Sequence, residues 1–146
     1  MNKGIIALSI ILAPLLISAQ STHFVCPIKK GIIVKEERGF NDGKRNPGAI
    51  IEGKNNKVYS CSSGIVNSVD SVQGGVMRIF ISFDEYSFFY TNLGSVEVRE
   101  GQSVMKGELI GKVKKGERLF LICSRNEMLI EPDSILKCHV ITRYLD

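Results

Sequence analysis

One stretch decides the fold: residues 96–113 read VEVREGQSVMKGELIGKV. Gly101 and Gly107 mark two short turns in this stretch, and valine, leucine and isoleucine fill the apolar positions around those turns. Glycine is needed where a chain reverses with a positive φ between strands that are too short to absorb strain. The stretch therefore predicts short β-strands joined by tight turns.

The same pattern continues outward along the chain. The strongest predicted strand is Val76–Phe83, which is rich in β-branched and aromatic residues, and Asp84 and Glu85 then turn the chain into Tyr86–Tyr90. Pro132 predicts at most one helical turn, over residues 133–137. Further short runs are expected at Ala49–Ile51, Val58–Cys61 and Ile65–Val69. The prediction is an all-β, antiparallel fold, a barrel or a sandwich.

The composition of the chain excludes some classes of function. The 146 residues suit one domain, and a formal charge of +4, spread along the chain, does not indicate a nucleic-acid-binding protein. The two histidines leave almost none to spare for a catalytic zinc centre, which usually takes two or three among its ligands. No cofactor and no metal are expected.

The first twenty residues read as a secretory signal peptide. A lysine at position 3 precedes an apolar run over residues 4–17, and Ser18, Ala19 and Gln20 supply small residues suited to cleavage. The run is short for a membrane span and contains Pro14. We expect an exported single domain at residues 21–146, periplasmic or extracellular in a bacterium, with its core at about residues 28–136 and no membrane span.

The cysteines also suit an oxidising compartment. Cys26, Cys61, Cys123 and Cys138 all lie after the predicted signal peptide, so up to two disulfides and three pairings are open. Buried free thiols are the alternative. A Cys26–Cys138 bridge would tie the ends of the exported chain together, and a long closed loop gains most in the chain-entropy model.

Short strands and glycine turns in this order are typical of a barrel-sandwich hybrid. Biotinyl and lipoyl carrier domains with their transport adaptors use this fold, and so does the lysostaphin-like, or LytM, family of zinc peptidases that cut peptidoglycan cross-bridges. The order of the other segments resembles the LytM family. The segments that carry this resemblance are residues 46–51, 58–66, 90–93, 116–122 and 131–136.

The resemblance implies a zinc site whose residues this chain has replaced. Asn46 and Ile50 stand where the family has a metal-binding histidine and aspartate, and Asn92 stands at a third histidine position. Arg118 and Phe120 replace the two histidines of the last motif. Isoleucine and phenylalanine offer no lone pair, and a guanidinium repels a cation. These five positions are expected to form a degenerate, non-catalytic groove.

Other candidate sites have simpler explanations. His23 and His139 would approach each other if Cys26 and Cys138 were bridged, but solvated or capping roles are the ordinary alternative. The serines of residues 60–63 lack a matching base, and Asp84 and Glu85 suit a solvated turn.

The predicted function is binding of a cell-wall peptide or of an envelope partner, such as a hydrolase, by a pseudo-peptidase. An active peptidoglycan endopeptidase with a non-standard metal site, or a lipoyl- or biotinyl-like adaptor, are the alternatives. Another option is an interaction surface of exposed aromatics on the strand Tyr86–Tyr90, in which Tyr86, Phe88 and Tyr90 share one face and Phe89 lies on the other. Burial of both faces is an equally ordinary explanation of these aromatics. A further alternative is that the groove is closed, with Ile50 and Phe120 packed as part of the core.

Overall fold

A computed structural model describes residues 24–38 and 48–145 of the chain. Over these residues the fold is nearly all β, with one short 3₁₀ turn at Pro132–Ser134, so the predicted class is confirmed. The signal-peptide prediction, His23 and Asn46 lie outside the described residues. The strands are β1 (Phe24–Val25), β2 (Ile32–Arg38), β3 (Gly48–Glu52), β4 (Lys57–Tyr59), β5 (Gly64–Val72), β6 (Val76–Phe83), β7 (Tyr86–Val96), β8 (Ser103–Val104), β9 (Leu109–Val113), β10 (Leu119–Arg125), β11 (Met128–Ile130), β12 (Leu136–Lys137) and β13 (His139–Leu145).

One large sheet organises the described part of the chain. Its main path runs β13-β2-β3-β10-β7-β6-β5-β8, while β11 pairs with β10 and β9 pairs with both β4 and β7. Most of these pairings are antiparallel, as expected. One is not, because β13 runs parallel to β2. The strands β1 and β12 also pair in parallel, in a separate two-stranded sheet. Over the residues described, the sheet does not close into a barrel.

The strands follow the local patterns of the sequence. The strand β6 has the predicted bounds, Val76–Phe83, and the turn at Asp84, whose φ is +50°, leads into β7. Gly101 and Gly107 have φ values of +84° and +82°, as the turn argument requires. The helical turn predicted over residues 133–137 is shorter in the structure, where a 3₁₀ turn begins at Pro132 and ends at Ser134.

The two faces of the central strands differ in burial. Side chains that alternate along β3 and β10 point to opposite faces, and paired residues on neighbouring strands share a face. One face is the core, where Ile51, Leu119 and Leu121 are fully buried. The opposite face carries Ile50 and Phe120 and is called the site face below.

The aromatic residues of β7 correct one prediction. Tyr86, Phe88 and Tyr90 are 8%, 0% and 0% exposed, so they belong to the core and do not form a partner-facing surface. Phe24 explains part of this burial, because its ring packs edge-to-face on Tyr86 and Phe88, with ring centroids 4.7 and 5.0 Å apart.

The cysteines divide into one bridge and two thiols. Cys26 and Cys138 form a disulfide that joins the segment after β1 to the residue before β13. Cys61 and Cys123, the other two disulfide candidates, are buried free thiols, so the second bridge is absent from the structure. Among the described residues, no helix has the length and apolar character needed to cross a membrane.

Candidate functional site

Ile50 and Phe120 lie directly opposite each other on β3 and β10. Both side chains are half-buried on the site face. Gly48, two residues before Ile50, makes room for the aromatic ring, since a Cβ at that position would lie 2.5 Å from Phe120 Cζ. The two positions therefore form a packed apolar pair, without a lone pair to offer to a metal.

Arg118 lies at the end of this apolar pair, within a cluster of four charges. Its Nη1 donates to Glu36 Oε1 at 2.5 Å and to Glu52 Oε1 at 3.2 Å. Arg143 donates to the same Glu52 from β13, at 3.4 and 3.5 Å. Two guanidinium groups and two carboxylates thus balance one another beside Ile50 and Phe120.

The electrostatics of this cluster favour the charged forms of Glu52 and Arg118. Burial raises the pKa of Glu52, but the hydrogen bonds from Arg118 and Arg143 outweigh it and hold this pKa below the usual value. The hydrogen bond to Glu36, and then that to Glu52, raises the pKa of Arg118. The Arg118 side chain is 41% exposed, so solvent screens these interactions and they add little to stability. The positive charge at the edge of the site is therefore the guanidinium of Arg118.

Asn92 has a backbone role. Its φ is +68°, in the left-handed region that asparagine tolerates better than most residues, and its Nδ2 donates to the carbonyl oxygen of Arg118 at 2.9 Å. Tyr90 and Leu93 are both fully buried although three positions separate them, whereas one face of a regular strand repeats every two. Asn92 therefore interrupts the two-residue alternation of side chains along β7. Its hydrogen bond also holds the backbone of Arg118, the residue before β10.

A buried polar cluster lies on the core side of the same strands. The Tyr90 hydroxyl accepts a hydrogen bond from the Cys61 N–H at 2.8 Å, and Ser60 Oγ donates to the carbonyl oxygen of Ser62 at 2.6 Å. Burial raises the pKa of the Cys61 thiol to about 12 and also raises that of Cys123. Thiols with such raised pKa values are poor nucleophiles at neutral pH, so this cluster is structural.

The remaining sequence candidates are dispersed. His139 is exposed on β13 at the edge of the sheet. Asp84 and Glu85 are exposed in the β6–β7 turn, where Glu85 pairs with Arg125 at 2.9 Å. Ser60 and Ser62 are buried, which agrees with a role in the turn. Within residues 24–38 and 48–145, no three histidine, cysteine or acidic side chains form a group suited to a metal ion.

Sequence reasoning missed three members of the charged cluster. Glu52 had a usable signal: it stands two residues after Ile50, just beyond the predicted run Ala49–Ile51, and strand alternation would put both side chains on one face. Glu36 and Arg143 had no such sequence signal. They come close to Arg118 only because β13 pairs with β2 and β2 pairs with β3.

Comparisons with known proteins agree with this fold. The model of peptidase family M23 matches residues 44–128, from just before β3 to the start of β11. Among curated proteins, no sequence matches the chain significantly.

Solved structures with the same fold include the following two. Csd3 from Helicobacter pylori, in a hexagonal crystal, aligns with a TM-score of 0.66 at 21% identity, covering 79% of this chain. The chain spans only about a third, 33%, of that Csd3 chain. A chain of the SpoIIQ–SpoIIIAH pore-forming complex aligns with a TM-score of 0.67 at 17% identity, covering 79% of this chain and 91% of its own.

Proposed function

The chain belongs to peptidase family M23, and from this premise we propose that it is a non-catalytic member that binds a partner protein of the cell envelope. M23 is the LytM-type family that the sequence resembles, so that prediction is confirmed. The family assignment also favours this proposal over a lipoyl- or biotinyl-like adaptor.

The observation that carries the proposal is the chemistry of Ile50, Arg118 and Phe120. Zinc in proteins takes nitrogen, sulfur or carboxylate donors, and the paired side chains of Ile50 and Phe120 present none. Arg118 brings a permanent positive charge that two carboxylates already balance. The residues present therefore do not fit the zinc ion that the family implies, and we assign no hydrolytic step to them.

The site face offers an apolar surface in place of a metal. Strand pairing places Thr91 beside Phe120, and Phe89 beside both Phe80 and Ile122, all half-buried. The polar groups at the neighbouring positions are engaged within the chain, since Asn92 donates to Arg118 and Arg118 donates to Glu36. Aromatic and aliphatic side chains at the centre, with charges at the rim, are typical of protein–protein interfaces. This composition favours a protein segment as the ligand.

The location of this function is also part of the proposal. Residues 1–20 have the composition of a signal peptide, and the Cys26–Cys138 bridge suits an oxidising compartment. The SpoIIQ–SpoIIIAH structure is a pore-forming complex of two proteins. This fold is thus used for protein assembly in that case, which supports an envelope partner for the present chain.

The first experiment tests the loss of metal. We expect the purified protein to contain no stoichiometric zinc by elemental mass spectrometry and to leave peptidoglycan intact in a digestion assay. One zinc per chain together with cleavage would contradict the proposal and favour an active endopeptidase with a non-standard site.

A restoration variant sharpens this test. Asn46→His, Ile50→Asp and Phe120→His together return the donors that the resemblance assigns, and positions 50 and 120 face each other across paired strands, with Cβ atoms roughly 5 Å apart. We expect the triple variant to bind zinc, and Ile50→Asp alone to bind none. Failure of the triple variant would show that these positions do not correspond to the family's ligands.

The second experiment tests the partner. Phe120→Glu puts a charge at the centre of the site face, whereas Leu129→Glu changes a side chain on β11 that is 60% exposed. We expect the same identified protein to be captured from envelope extract by the unaltered chain and by Leu129→Glu, and to be lost with Phe120→Glu. Equal capture by all three would contradict the proposal.

A cell-wall peptide is the second candidate ligand. The Arg118 side chain is 41% exposed beside the apolar pair, so its guanidinium is accessible to a peptide carboxylate. This candidate predicts that the protein sediments with purified sacculi and that Arg118→Gln weakens the sedimentation.

A further inference from the structure

The strand β13 is an exposed edge of the large sheet. Within the described residues it pairs only with β2, and each of its seven residues is exposed. Four of them are apolar: Val140, Ile141, Tyr144 and Leu145 are 44%, 38%, 75% and 37% exposed. The strand lies outside the region matched by the family model, which ends at residue 128. An edge strand of this kind offers unpaired backbone groups to another strand.

Three restraints hold β13 in an extended, preorganised form. Cys138, the residue before the strand, is bonded to Cys26. Seven consecutive residues pair in register with β2, from His139 beside Ile32 to Leu145 beside Arg38. Arg143 reaches Glu52 across the intervening strand. A partner strand would therefore meet a rigid template and would not have to order β13 first.

The strand lacks the devices that usually protect a sheet edge. It contains no proline, glycine or lysine, and no break in its pairing with β2. Its charged arginine, Arg143, is hydrogen-bonded to Glu52. Its valine, isoleucine, threonine and tyrosine are instead residues that favour β-strands.

The sequence of β13 complements itself when two copies run antiparallel. With Thr142 opposite Thr142, Val140 lies opposite Tyr144 at two symmetric places, and Ile141 lies opposite Arg143. Aromatic–aliphatic and threonine–threonine pairs stabilise antiparallel strands, and no two charged residues are directly opposed. Two-fold pairing of identical surfaces also gives a closed dimer. We propose that β13 pairs with β13 of a second copy of this chain, with Thr142 at the two-fold axis.

Such a dimer has a consequence for the site face. The two-fold axis of an antiparallel strand pair is perpendicular to the sheet, so the two sheets join into one and both site faces point the same way. Ile141 and Arg143 share that face with Val34 and Glu36, to which they are paired. The dimer would present two copies of the candidate site side by side. The pairing itself does not depend on the proposed function.

A cysteine cross-link tests the register. Thr142→Cys places two thiols directly opposite each other in the dimer, within the reach of a disulfide. Ile141→Cys is the matched control, because its two copies are diagonal, at about 7–8 Å, which is too far for a bridge. Cys61 and Cys123 are buried and contribute no background. We expect mild oxidation to give a covalent dimer with Thr142→Cys and little with Ile141→Cys; equal or absent cross-linking would overturn the proposal.

Sedimentation of the full chain, exported so that the Cys26–Cys138 bridge forms, tests the dimer without a cross-link. We expect a monomer–dimer equilibrium whose dissociation constant rises about tenfold or more with Tyr144→Lys, since lysine blocks edge pairing. Leu129→Lys, at a side chain on β11 that is 60% exposed, should leave this constant unchanged. A monomer at all concentrations, or a dimer indifferent to Tyr144→Lys, would overturn the proposal. Circular dichroism checks that each variant keeps the β fold.

Discussion

At the scale of single residues, Tyr90 shows how the core is specified. Its side chain is fully buried on β7, and its hydroxyl is the acceptor for the backbone N–H of Cys61, 29 residues away. Burial, followed by the effect of the Cys61 group, raises the pKa of Tyr90 well above its usual value, so the hydroxyl stays protonated. The tyrosine thus joins the segment around β4 to the central strands through one polar contact.

Removing that hydroxyl should destabilise the protein. Tyr90→Phe keeps the ring but leaves the buried Cys61 N–H without its acceptor, which typically costs about 1–3 kcal/mol. We expect urea denaturation to show a free energy of unfolding lower by that amount. Tyr144→Phe is the control, because Tyr144 is 75% exposed and should tolerate the change. Equal stability of the two variants would show that the Tyr90 hydroxyl contributes nothing.

At the scale of elements, Gly64 allows the backbones of β5 and β6 to lie close together. It begins β5, where that strand is paired with both β6 and β8. A Cβ at Gly64 would lie 2.2 Å from the carbonyl oxygen of Ser82, a backbone atom that cannot rotate away. A glycine at position 64 therefore permits the close approach of β5 and β6.

Adding a methyl group at this position should disturb the pairing of β5 with β6. We expect Gly64→Ala to lower the free energy of unfolding by about 1–3 kcal/mol, the usual range for overpacking. Gly74→Asn is the matched control: nothing lies within 4 Å of a Cβ at Gly74, and asparagine tolerates its φ of +87°. Thermal denaturation followed by circular dichroism compares the two, and a Gly64→Ala melting point at or above that of Gly74→Asn would contradict this account.

At the scale of the whole molecule, the Cys26–Cys138 disulfide closes the fold. The two residues are 112 positions apart, so the bridge restricts the unfolded chain over most of its length. In the folded state it fixes β1 and β12, which pair in parallel, close to the start of β13.

Loss of the bridge should lower the stability of the whole domain. The chain-entropy model gives about 4–5 kcal/mol for a loop of this size, and natural bridges in small domains contribute about 2–5 kcal/mol. We expect the double variant Cys26→Ser, Cys138→Ser to unfold at a lower denaturant concentration. A reducing agent should shift the midpoint of the unaltered protein to that of the variant and leave the variant itself unchanged. A midpoint that neither treatment moves would contradict this role.

The sequence by itself determined several of the strands, their turns and the donor atoms missing from the site. Alternation and β-branched residues are local signals, so Val76–Phe83 has its predicted bounds and Gly101 and Gly107 have their predicted positive φ. The absence of donor atoms at Ile50 and Phe120 also follows from residue identity alone, since no fold can give a hydrocarbon side chain a lone pair.

Only the tertiary structure decided how distant segments meet. The cluster of Glu36, Glu52, Arg118 and Arg143 depends on the neighbouring positions of β13, β2, β3 and β10, which are far apart in the chain. The burial of Tyr86 and Phe88 depends in the same way on Phe24 packing against their rings, since alternation alone leaves open which face becomes the core. The choice of one disulfide and two thiols has the same origin. These features require contacts between residues many positions apart, and a local pattern carries no information about such contacts.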